Sequence, residues 1–171
     1  MRIKWLAPLA ALVILAACES TPDEQASTAG QGTSTSDQAG DGGGAKVSQD
    51  GTVPGSQEDL AQNVGDRVLF DFDSSVLSAQ ARQTLEGQAG WLKQYPNVRL
   101  VIEGHCDERG TREYNLALGE RRAAAAKNYL VALGVDDARL TTISYGKERP
   151  FALGHDDDAW SQNRRAVSIV Q

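Results

Sequence analysis

Two stretches of the chain carry hydrophobic side chains at every second position, which is the period of a half-buried β-strand. In the first stretch Val68, Phe70 and Phe72 share one face, and Asp71 and Asp73 fall on the other. Two further apolar stretches near the end of the chain also predict strands. The four predicted strands cover residues 67–73, 98–104, 140–145 and 166–170.

Two longer stretches carry hydrophobic residues every three or four positions and therefore predict amphipathic helices. Ser78 can cap the first helix and Pro96 stops it, while the second runs from about residue 112 and ends at Gly134. The expected buried stripes are Leu77, Ala81, Leu85, Ala89 and Leu92 in the first helix, and Leu116, Gly119, Ala123, Ala126, Leu130 and Leu133 in the second.

Strand and helix patterns alternate along the chain, which predicts an α/β layer fold with helices on one face of a sheet. A short helix at 57–63 precedes the first strand, and a long loop containing the acidic residues 156–158 precedes the last. Because nearly all core-forming residues follow the first 57, we expect one folded domain at 58–171. A domain of this size buries a core without disulfides or metal.

The amino-terminal segment has a basic stub and then about a dozen apolar residues. The apolar run is shorter than the roughly 20 residues of a membrane span, so it predicts a secretory signal peptide at 1–17. The tetrad Leu15-Ala16-Ala17-Cys18 resembles the bacterial lipobox. That resemblance implies cleavage before Cys18, a diacylglyceryl group on its thiol and an acylated amino terminus. Glu19, in place of aspartate, implies sorting to the outer membrane.

Residues 18–57 are dominated by glycine, serine, threonine, glutamine, aspartate and alanine. Such a composition buries too little apolar area to offset the entropy of ordering, so a disordered tether is predicted. A Gly/Ser-rich chain of roughly 40 residues has a typical end-to-end distance of about 35 Å and stretches to well over about 100 Å. This scale suits an anchor that presents a domain to a layer at some distance from the membrane.

The charge balance argues against one class of partner. The formal net charge is −6, and it becomes −6 − 2 = −8 when Arg2 and Lys4 leave with the signal peptide. Sequence-independent nucleic-acid binding depends on basic contacts to phosphate, so no nucleic-acid partner is predicted. With Cys18 lipidated, Cys106 is left as a lone thiol, and we expect it to pack as a small buried hydrophobe.

Candidate binding residues cluster after the second strand and on the second long helix. Asn115, Leu118 and Arg122 are spaced three and four apart and share a helix face that is not the expected core stripe. Asp107 lies at the preceding strand end, where α/β folds tend to place ligands. A carboxylate and a guanidinium set apart match a zwitterion, because Asp107 can accept from an ammonium and Arg122 can clamp a carboxylate. A structural ion pair between Asp107 and Arg122 explains the spacing equally well.

Metal and enzymatic chemistry find weaker support. Residues 105–108 read His-Cys-Asp-Glu, but consecutive side chains on a strand point opposite ways and no second Cys/His pair follows at zinc spacing. Neither a metal, another cofactor nor an enzymatic activity is predicted, apart from the covalent lipid on Cys18. A cell-wall hydrolase remains an alternative. So does a flagellar stator-type protein, which needs a true membrane span instead of the lipobox.

The polar motifs resemble those of OmpA-like peptidoglycan-binding domains and, more closely, of the peptidoglycan-associated lipoproteins of the Tol–Pal system. The matching segments lie in a fixed order at residues 70–73, 104–110, 115–123, 144–150 and 163–167. They extend across the whole predicted domain, and the lipobox and the tether fit the same family.

This resemblance implies a βαβαββ sandwich with a mixed four-stranded sheet. It also implies a non-enzymatic protein that joins the outer membrane to peptidoglycan in envelope integrity and cell division, with its domain facing the periplasm. By resemblance, Asp107 and Arg122 bind the zwitterionic end of meso-diaminopimelate in the stem peptide. Other residues expected around the ligand are Asn115, Leu118, Phe72, Asp73, Arg164 and Arg165. The implied partners are peptidoglycan, TolB and other Tol proteins, and the outer-membrane lipid.

Overall fold

A computed structural model of the chain describes residues 51–171. The predicted signal peptide, Cys18 and the tether as far as residue 50 lie outside the described residues. Within the described range, no helix has the length and apolar character needed to cross a membrane. The elements are α1 (Gln57–Asn63), β1 (Arg67–Leu69), α2 (Ala79–Gln94), β2 (Leu100–His105), α3 (Arg112–Ala132), a short 3-10 helix (Asp137–Arg139), β3 (Leu140–Gly146), α4 (Asp157–Asn163) and β4 (Arg165–Val170).

The four strands form one mixed sheet in the order β1-β4-β2-β3. β4 is antiparallel to both β1 and β2, whereas β2 is parallel to β3 and is connected to it through α3. The predicted α/β class, the βαβαββ order and the mixed four-stranded sheet are confirmed. The crossover brings the carboxyl end of β2 close to the start of α3, which is the usual position of a ligand site in such folds.

The hydrophobic core combines side chains from all four strands with those of α1, α2 and α3. Four of the five residues in the predicted stripe of α2 are confirmed as buried, since Ala81, Leu85, Ala89 and Leu92 are each at most 3% exposed, whereas Leu77 precedes the helix and is half-buried against the core. Ser78 caps this helix as predicted, because its Oγ accepts a 3.1 Å hydrogen bond from the N–H of Ala81. The capping residue therefore located the start of α2, and the hydrophobic period located its buried face.

β2 and α3 approach so closely that glycine is required on both sides. A Cβ on Gly104 would overlap the carbonyl oxygen of Gly119, and a Cβ on Gly119 would lie 2.9 Å from the carbonyl oxygen of Gly104. This backbone-to-backbone contact fixes the depth of α3 against the sheet. It thereby fixes the position of Arg122, less than one helical turn further along α3.

The first strand is shorter than predicted, because β1 ends at Leu69 and not at residue 73. In the antiparallel ladder Leu69 pairs with Arg165, the first residue of β4, and one more backbone hydrogen bond follows, from the N–H of Phe70 to the carbonyl of Arg164 at 2.9 Å. Phe70 is still buried, but Phe72 is 60% exposed and Asp73 has a left-handed φ of 53°. The chain therefore turns out of the sheet and carries Phe72 to the surface.

The predicted stripe of α3 is correct in its middle and wrong at its start. Gly119, Ala123, Ala126 and Leu130 are buried, whereas Leu116 is 51% exposed. Leu116 lies beside β3, the edge strand, and within the described chain no further strand covers that side. The position of a residue relative to the sheet edge, which the helical period does not contain, decides its burial here.

The second face of α3, which carries the candidate binding residues, is also buried. The sequence pattern had placed this face apart from the core stripe. Asn115, Leu118 and Arg122 are 2%, 5% and 0% exposed. A polar face is buried in this way only when its donors and acceptors find partners. Those partners are backbone carbonyls, which lie close in the sequence for Asn115 and far from it for Arg122.

The predicted acidic loop before the last strand contains a helix, α4 (Asp157–Asn163). Asp156 is its N-cap, and its Oδ1 accepts a 2.8 Å hydrogen bond from the N–H of Ala159. Asp157 and Asp158 lie in the first turn, where their negative charges interact favourably with the positive end of the helix dipole. The run of three aspartates is thus a helix start, and α4 places Trp160 against the site.

Candidate functional site

A cavity of about 150 Å³ opens at the carboxyl end of β2, between the loop after β1, the loop after β2 and the first turns of α3. Six of the eight residues predicted around the ligand line it. Its lining residues are Phe72, Asp73, Cys106, Asp107, Arg109, Gly110, Tyr114, Asn115, Leu118 and Arg122. The volume holds several water molecules, and it is comparable to the amino, carboxylate and Cα atoms of one amino acid.

The guanidinium of Arg122 lies at the closed end of this cavity and is 0% exposed. Its Nε donates to the carbonyl of Ser74 at 2.8 Å, Nη1 to that of His105 at 2.8 Å, and Nη2 to that of Asp71 at 3.1 Å. Burial lowers the pKa of Arg122, but a guanidinium remains charged in proteins. Within residues 51–171, no carboxylate forms an ion pair with it.

Asp107, which is 4% exposed, is paired with two other arginines. Its carboxylate accepts from Nη2 of Arg109 at 2.7 Å, from the Arg109 backbone N–H at 3.1 Å, and from Nη1 of Arg164 at 3.4 Å. Burial by itself raises the pKa of Asp107, but the bonds from Arg109 and Arg164 outweigh it and hold that pKa below its usual value. The alternative of a direct Asp107–Arg122 ion pair is therefore wrong.

Arg109 is the main residue of the site that the sequence patterns missed. Its guanidinium carbon lies 4.0 Å from the ring centroid of Phe72 and 4.1 Å from that of Trp160. These two cation–π contacts help to hold the guanidinium where it reaches Asp107. The one sequence feature that pointed to Arg109 was its position two residues after Asp107. Its contacts with Phe72 and Trp160 could not be predicted, because these residues lie far apart in the sequence.

Two further lining residues connect α3 to the loop after β2. The amide of Asn115 donates to the carbonyls of Arg109 at 2.8 Å and Thr111 at 3.1 Å. The thiol of Cys106 is 3% exposed and donates to the carbonyl of Asn115 at 3.3 Å. The prediction that Cys106 is a small buried residue is confirmed, and burial raises the pKa of its thiol.

The mouth of the cavity is formed by side chains that are open to solvent. The hydroxyl of Tyr114 is hydrogen-bonded to Oδ1 of Asp73, and Phe72 lies next to them with 60% of its surface exposed. The bond to Asp73 raises the pKa of Tyr114. Asp73 adds a second carboxylate at the outer end of the cavity.

The two predicted rim arginines have different environments. Arg164 donates from Nε to the carbonyl of Phe70 at 3.0 Å and reaches Asp107, so it supports the wall behind the cavity. Arg165 does not line the cavity, since it donates to the carbonyls of Asn163 and Arg149. The reason is strand geometry, because neighbouring residues in an extended chain point to opposite sides.

Two guanidiniums pair with the buried carboxylate of Asp107, and that of Arg122, which lines the same cavity, has no carboxylate partner in the described chain. Such an arrangement favours a ligand that brings a carboxylate to Arg122 while its ammonium meets Asp107 or Asp73 at the outer side. Within residues 51–171, no group of three or more His, Cys, Asp or Glu side chains is placed to hold a metal ion.

A mixed four-stranded sheet under helices, with a charged cavity at the end of β2, defines a small α/β ligand-binding domain. The model of the OmpA family matches residues 69–164. A peptidoglycan-associated lipoprotein of Rhizobium meliloti is 60% identical over 118 residues, which are 69% of this chain and 67% of that protein. One from Pseudomonas putida is 43% identical over 163 residues, 95% of this chain and 93% of that protein.

Solved structures agree with these relatives. The crystal structure of the peptidoglycan-associated lipoprotein from Burkholderia pseudomallei has a TM-score of 0.62 and 45% identity, and it covers 66% of this chain and 100% of that one. The C-terminal domain of Helicobacter pylori MotB, 21% identical with a TM-score of 0.58 over 62% of this chain and 84% of that one, shares the fold. The chain therefore belongs to the OmpA family and, within it, to the peptidoglycan-associated lipoproteins.

Proposed function

We propose that this protein is a lipid-anchored, non-enzymatic protein of the outer membrane that binds peptidoglycan through the cavity around Asp107 and Arg122. Its ligand is the zwitterionic end of meso-diaminopimelate in the stem peptide. The ligand carboxylate meets Arg122, and the ligand ammonium meets Asp107, with Asp73 at the mouth. Asn115 and Leu118 form the wall, and Phe72 covers the open side. Arg164 acts indirectly, through its bond to Asp107.

The observation that carries the proposal is the buried guanidinium of Arg122, which has no carboxylate partner within residues 51–171. A buried charge without an opposite partner is costly to maintain, and the cost is reduced when a ligand supplies that partner. Because Asp107 is already paired with Arg109 and Arg164, it leaves Arg122 available to a ligand carboxylate. A neutral sugar alone offers no such charge, which favours the peptide stem over the glycan as the recognised part.

The proposed anchor is the lipid on Cys18, followed by a tether to the domain. Each buried methylene contributes about 0.8 kcal/mol, and more than one acyl chain is needed for stable anchoring. Mass spectrometry of the mature amino terminus tests this part. The amino-terminal peptide is expected to begin at Cys18 and to carry the added mass of a glyceryl group and three acyl chains, whereas an intact segment 1–17 contradicts this and favours a stator-type protein.

We also propose that the protein works with the Tol proteins in envelope integrity and cell division, and that TolB binds the same domain in competition with peptidoglycan. The proposal rests on the family to which the chain belongs. Sacculi added to a complex of the two proteins should release TolB. If sacculi, this protein and TolB instead sediment together without loss of either, competition is refuted.

The binding site is tested by co-sedimentation of the full-length protein in detergent with purified sacculi. Free meso-diaminopimelate should compete. Asp107→Asn and Arg122→Lys should each weaken binding by about tenfold or more, because a charge-assisted hydrogen bond contributes about 1.5–3 kcal/mol. Release of soluble muropeptides from the sacculi would instead indicate a hydrolase.

Asp137→Asn is the matched control. Asp137 belongs to the 3-10 helix that leads into the start of β3, and 70% of its side chain is exposed. Because β2 and β3 are parallel, it lies at the end of the sheet opposite the cavity. This variant should bind normally. Equal binding by Asp107→Asn, Arg122→Lys and the control, with unchanged circular dichroism, contradicts the site.

A further inference from the structure

The two edges of the sheet differ in their protection against pairing with another chain. β1 has three residues and includes the charged Arg67, whereas β3 has seven residues without a charge or a proline. Natural proteins shield edge strands by shortness, charge, proline or bulges. The one irregularity in the β2–β3 register falls at its end, where His105 pairs with Gly146. Within residues 51–171, no strand pairs with the outer side of β3.

A groove of about 570 Å³ runs along this unprotected edge, between β3 and α3. Its helix side is formed by Glu113, Leu116, Ala117 and Glu120, which are exposed and share one face of α3. Leu116, 51% exposed, and Ala117 form an apolar floor, and a carboxylate stands at each end of it. Among the residues that the structure describes, no lysine or arginine lines this groove.

The strand side of the groove sets the direction of side chains on β3. The hydroxyl of Thr142 donates to Glu120 at 2.9 Å, and that of Ser144 donates to the carbonyl of Leu116 at 2.7 Å, so both point toward α3. Ile143, between them, therefore points to the opposite face, where it is 38% exposed. A strand added beside β3 would place alternate side chains over the groove and beside Ile143.

We propose that β3 binds an extended segment of another protein by strand addition, and that this segment carries three consecutive apolar residues with a basic residue on each side. The free backbone of β3 supplies the hydrogen bonds, and the groove selects the side chains, as in other cases of strand addition. Glu113 and Glu120 lie about 10 Å apart along the helix. Positions two and four apart on a strand are separated by about 7 Å and 13 Å.

These spacings define the sequence of the partner. Basic residues at positions i and i+4 reach the two carboxylates, because their long side chains make up the difference in spacing. An apolar residue at i+2 lies on Leu116 and Ala117, and apolar residues at i+1 and i+3 lie on the side of Ile143. A second copy of this chain fits poorly, since pairing β3 with itself brings Glu113 and Glu120 close to the same residues of the other copy.

The test uses the full-length protein in neutral detergent and a fluorescein-labelled peptide, acetyl-Thr-Lys-Val-Leu-Val-Lys-Thr-amide, followed by anisotropy. Saturable binding is expected. Replacing both lysines of the peptide by glutamate should weaken binding by about tenfold or more, because like charges then meet in the groove. Methylating the amide nitrogens on the edge that faces β3 should abolish binding, because a strand pairs through those groups.

On the protein side, Ile143→Lys and Glu113→Lys should each weaken binding by about tenfold. Leu69→Lys is the control, since Leu69 is an exposed apolar residue, 49% accessible, on the other edge strand. Glu113→Lys changes an exposed helix residue and keeps the test valid if Ile143→Lys fails to fold. The proposal is overturned if the peptide does not bind, or if the acidic or methylated peptide binds equally well. A dimer that Ile143→Lys dissociates would overturn it too, in favour of self-pairing.

Discussion

The carboxylate of Asp107 accepts a 2.7 Å hydrogen bond from Nη2 of Arg109, its neighbour two positions along the chain. Arg109 is itself held between the rings of Phe72 and Trp160. The orientation of the buried carboxylate thus depends on an aromatic pair contributed by the loop after β1 and by α4. In the proposed function, Arg109 is a positioning residue, because it acts on the ligand through Asp107.

The first prediction concerns this pair. Arg109→Gln should let the pKa of Asp107 rise, because its strongest donor is lost. Because the folded-state pKa of Asp107 is depressed, its carboxylate is charged at neutral pH. The carboxylate becomes protonated and loses its negative charge as the pH falls through that pKa. In the variant this loss starts at a higher pH, so binding to sacculi should weaken at a higher pH than in the parent protein.

Arg112→Gln is the control, because Arg112 is 73% exposed and pairs with Glu148 at the surface. Its pH profile of sacculus binding should match that of the parent. Identical profiles for Arg109→Gln and the control would show that Arg109 does not orient or charge Asp107.

The second prediction is a loss of stability in mild acid caused by His105. This residue is 2% exposed, stacks on Tyr145 at 5.6 Å, and within residues 51–171 neither of its ring nitrogens has a hydrogen-bond partner. Burial, then the charges of Arg165 and Arg149, lower its pKa from 6.5 to about 4, and they outweigh the opposing effect of the Arg149 backbone.

The direction follows from proton binding. Between pH 6.5 and about 4 the unfolded chain binds a proton at His105 that the folded chain does not, so stability falls as pH falls. The total loss is on the order of 3 kcal/mol. Urea unfolding at several pH values should show this slope in the parent and a shallower one in His105→Phe. His155 is the control, because it is exposed and Glu108 raises its pKa. Its proton binding therefore changes stability with pH in the opposite direction. An equal slope in parent and His105→Phe contradicts the prediction.

The third prediction tests the contact between β2 and α3. Gly104→Ala places a Cβ on the carbonyl oxygen of Gly119, where only backbone can move. It should destabilise the domain by more than about 3 kcal/mol and reduce sacculus binding with it. Gly90→Ala in α2 has nothing within 4 Å of the added Cβ, so it should instead stabilise by about 0.5–1 kcal/mol. Chemical denaturation measures the stability of both variants. Similar unfolding midpoints for Gly104→Ala and Gly90→Ala would contradict the close approach of β2 and α3.

The fourth prediction concerns the start of α4. Asp156→Ala removes the N-cap and should lower stability by about 1 kcal/mol. It should also loosen Trp160 from Arg109, visible as a red shift of tryptophan fluorescence. Asp158→Ala, in the first turn but not the cap, should change both much less. If the two alanine variants behave alike, Asp156 does not act as the cap.

The sequence predicted the fold well where local period and capping decide structure. α2 is capped by Ser78 and buries its expected face, because both features depend on neighbouring residues alone. Leu116 and Phe72 were misplaced because their burial depends on which strand lies next to them, and this is a property of the sheet order. The helix α4 was missed because seven mostly polar residues show almost no hydrophobic period.

The site was predicted in part for a similar reason. Asp107 and Arg122 were found because strand end and helix face are local features, and they do line one cavity. Their actual partners were not found. Arg122 is held by carbonyls of Ser74, His105 and Asp71, and backbone acceptors leave no mark on a side-chain pattern.

The central position of β4 has a mechanical consequence for a protein proposed to hang between a membrane and a wall. The side-chain amide of Gln57, at the start of α1, holds Ser168 and Val170 near the end of β4, while Arg164, just before β4, contacts Asp107. Tension between tether and ligand therefore runs lengthwise along a strand flanked on both sides. The hydrogen bonds of both ladders resist as a group in shear, so the grip on the ligand should give way before the domain unravels.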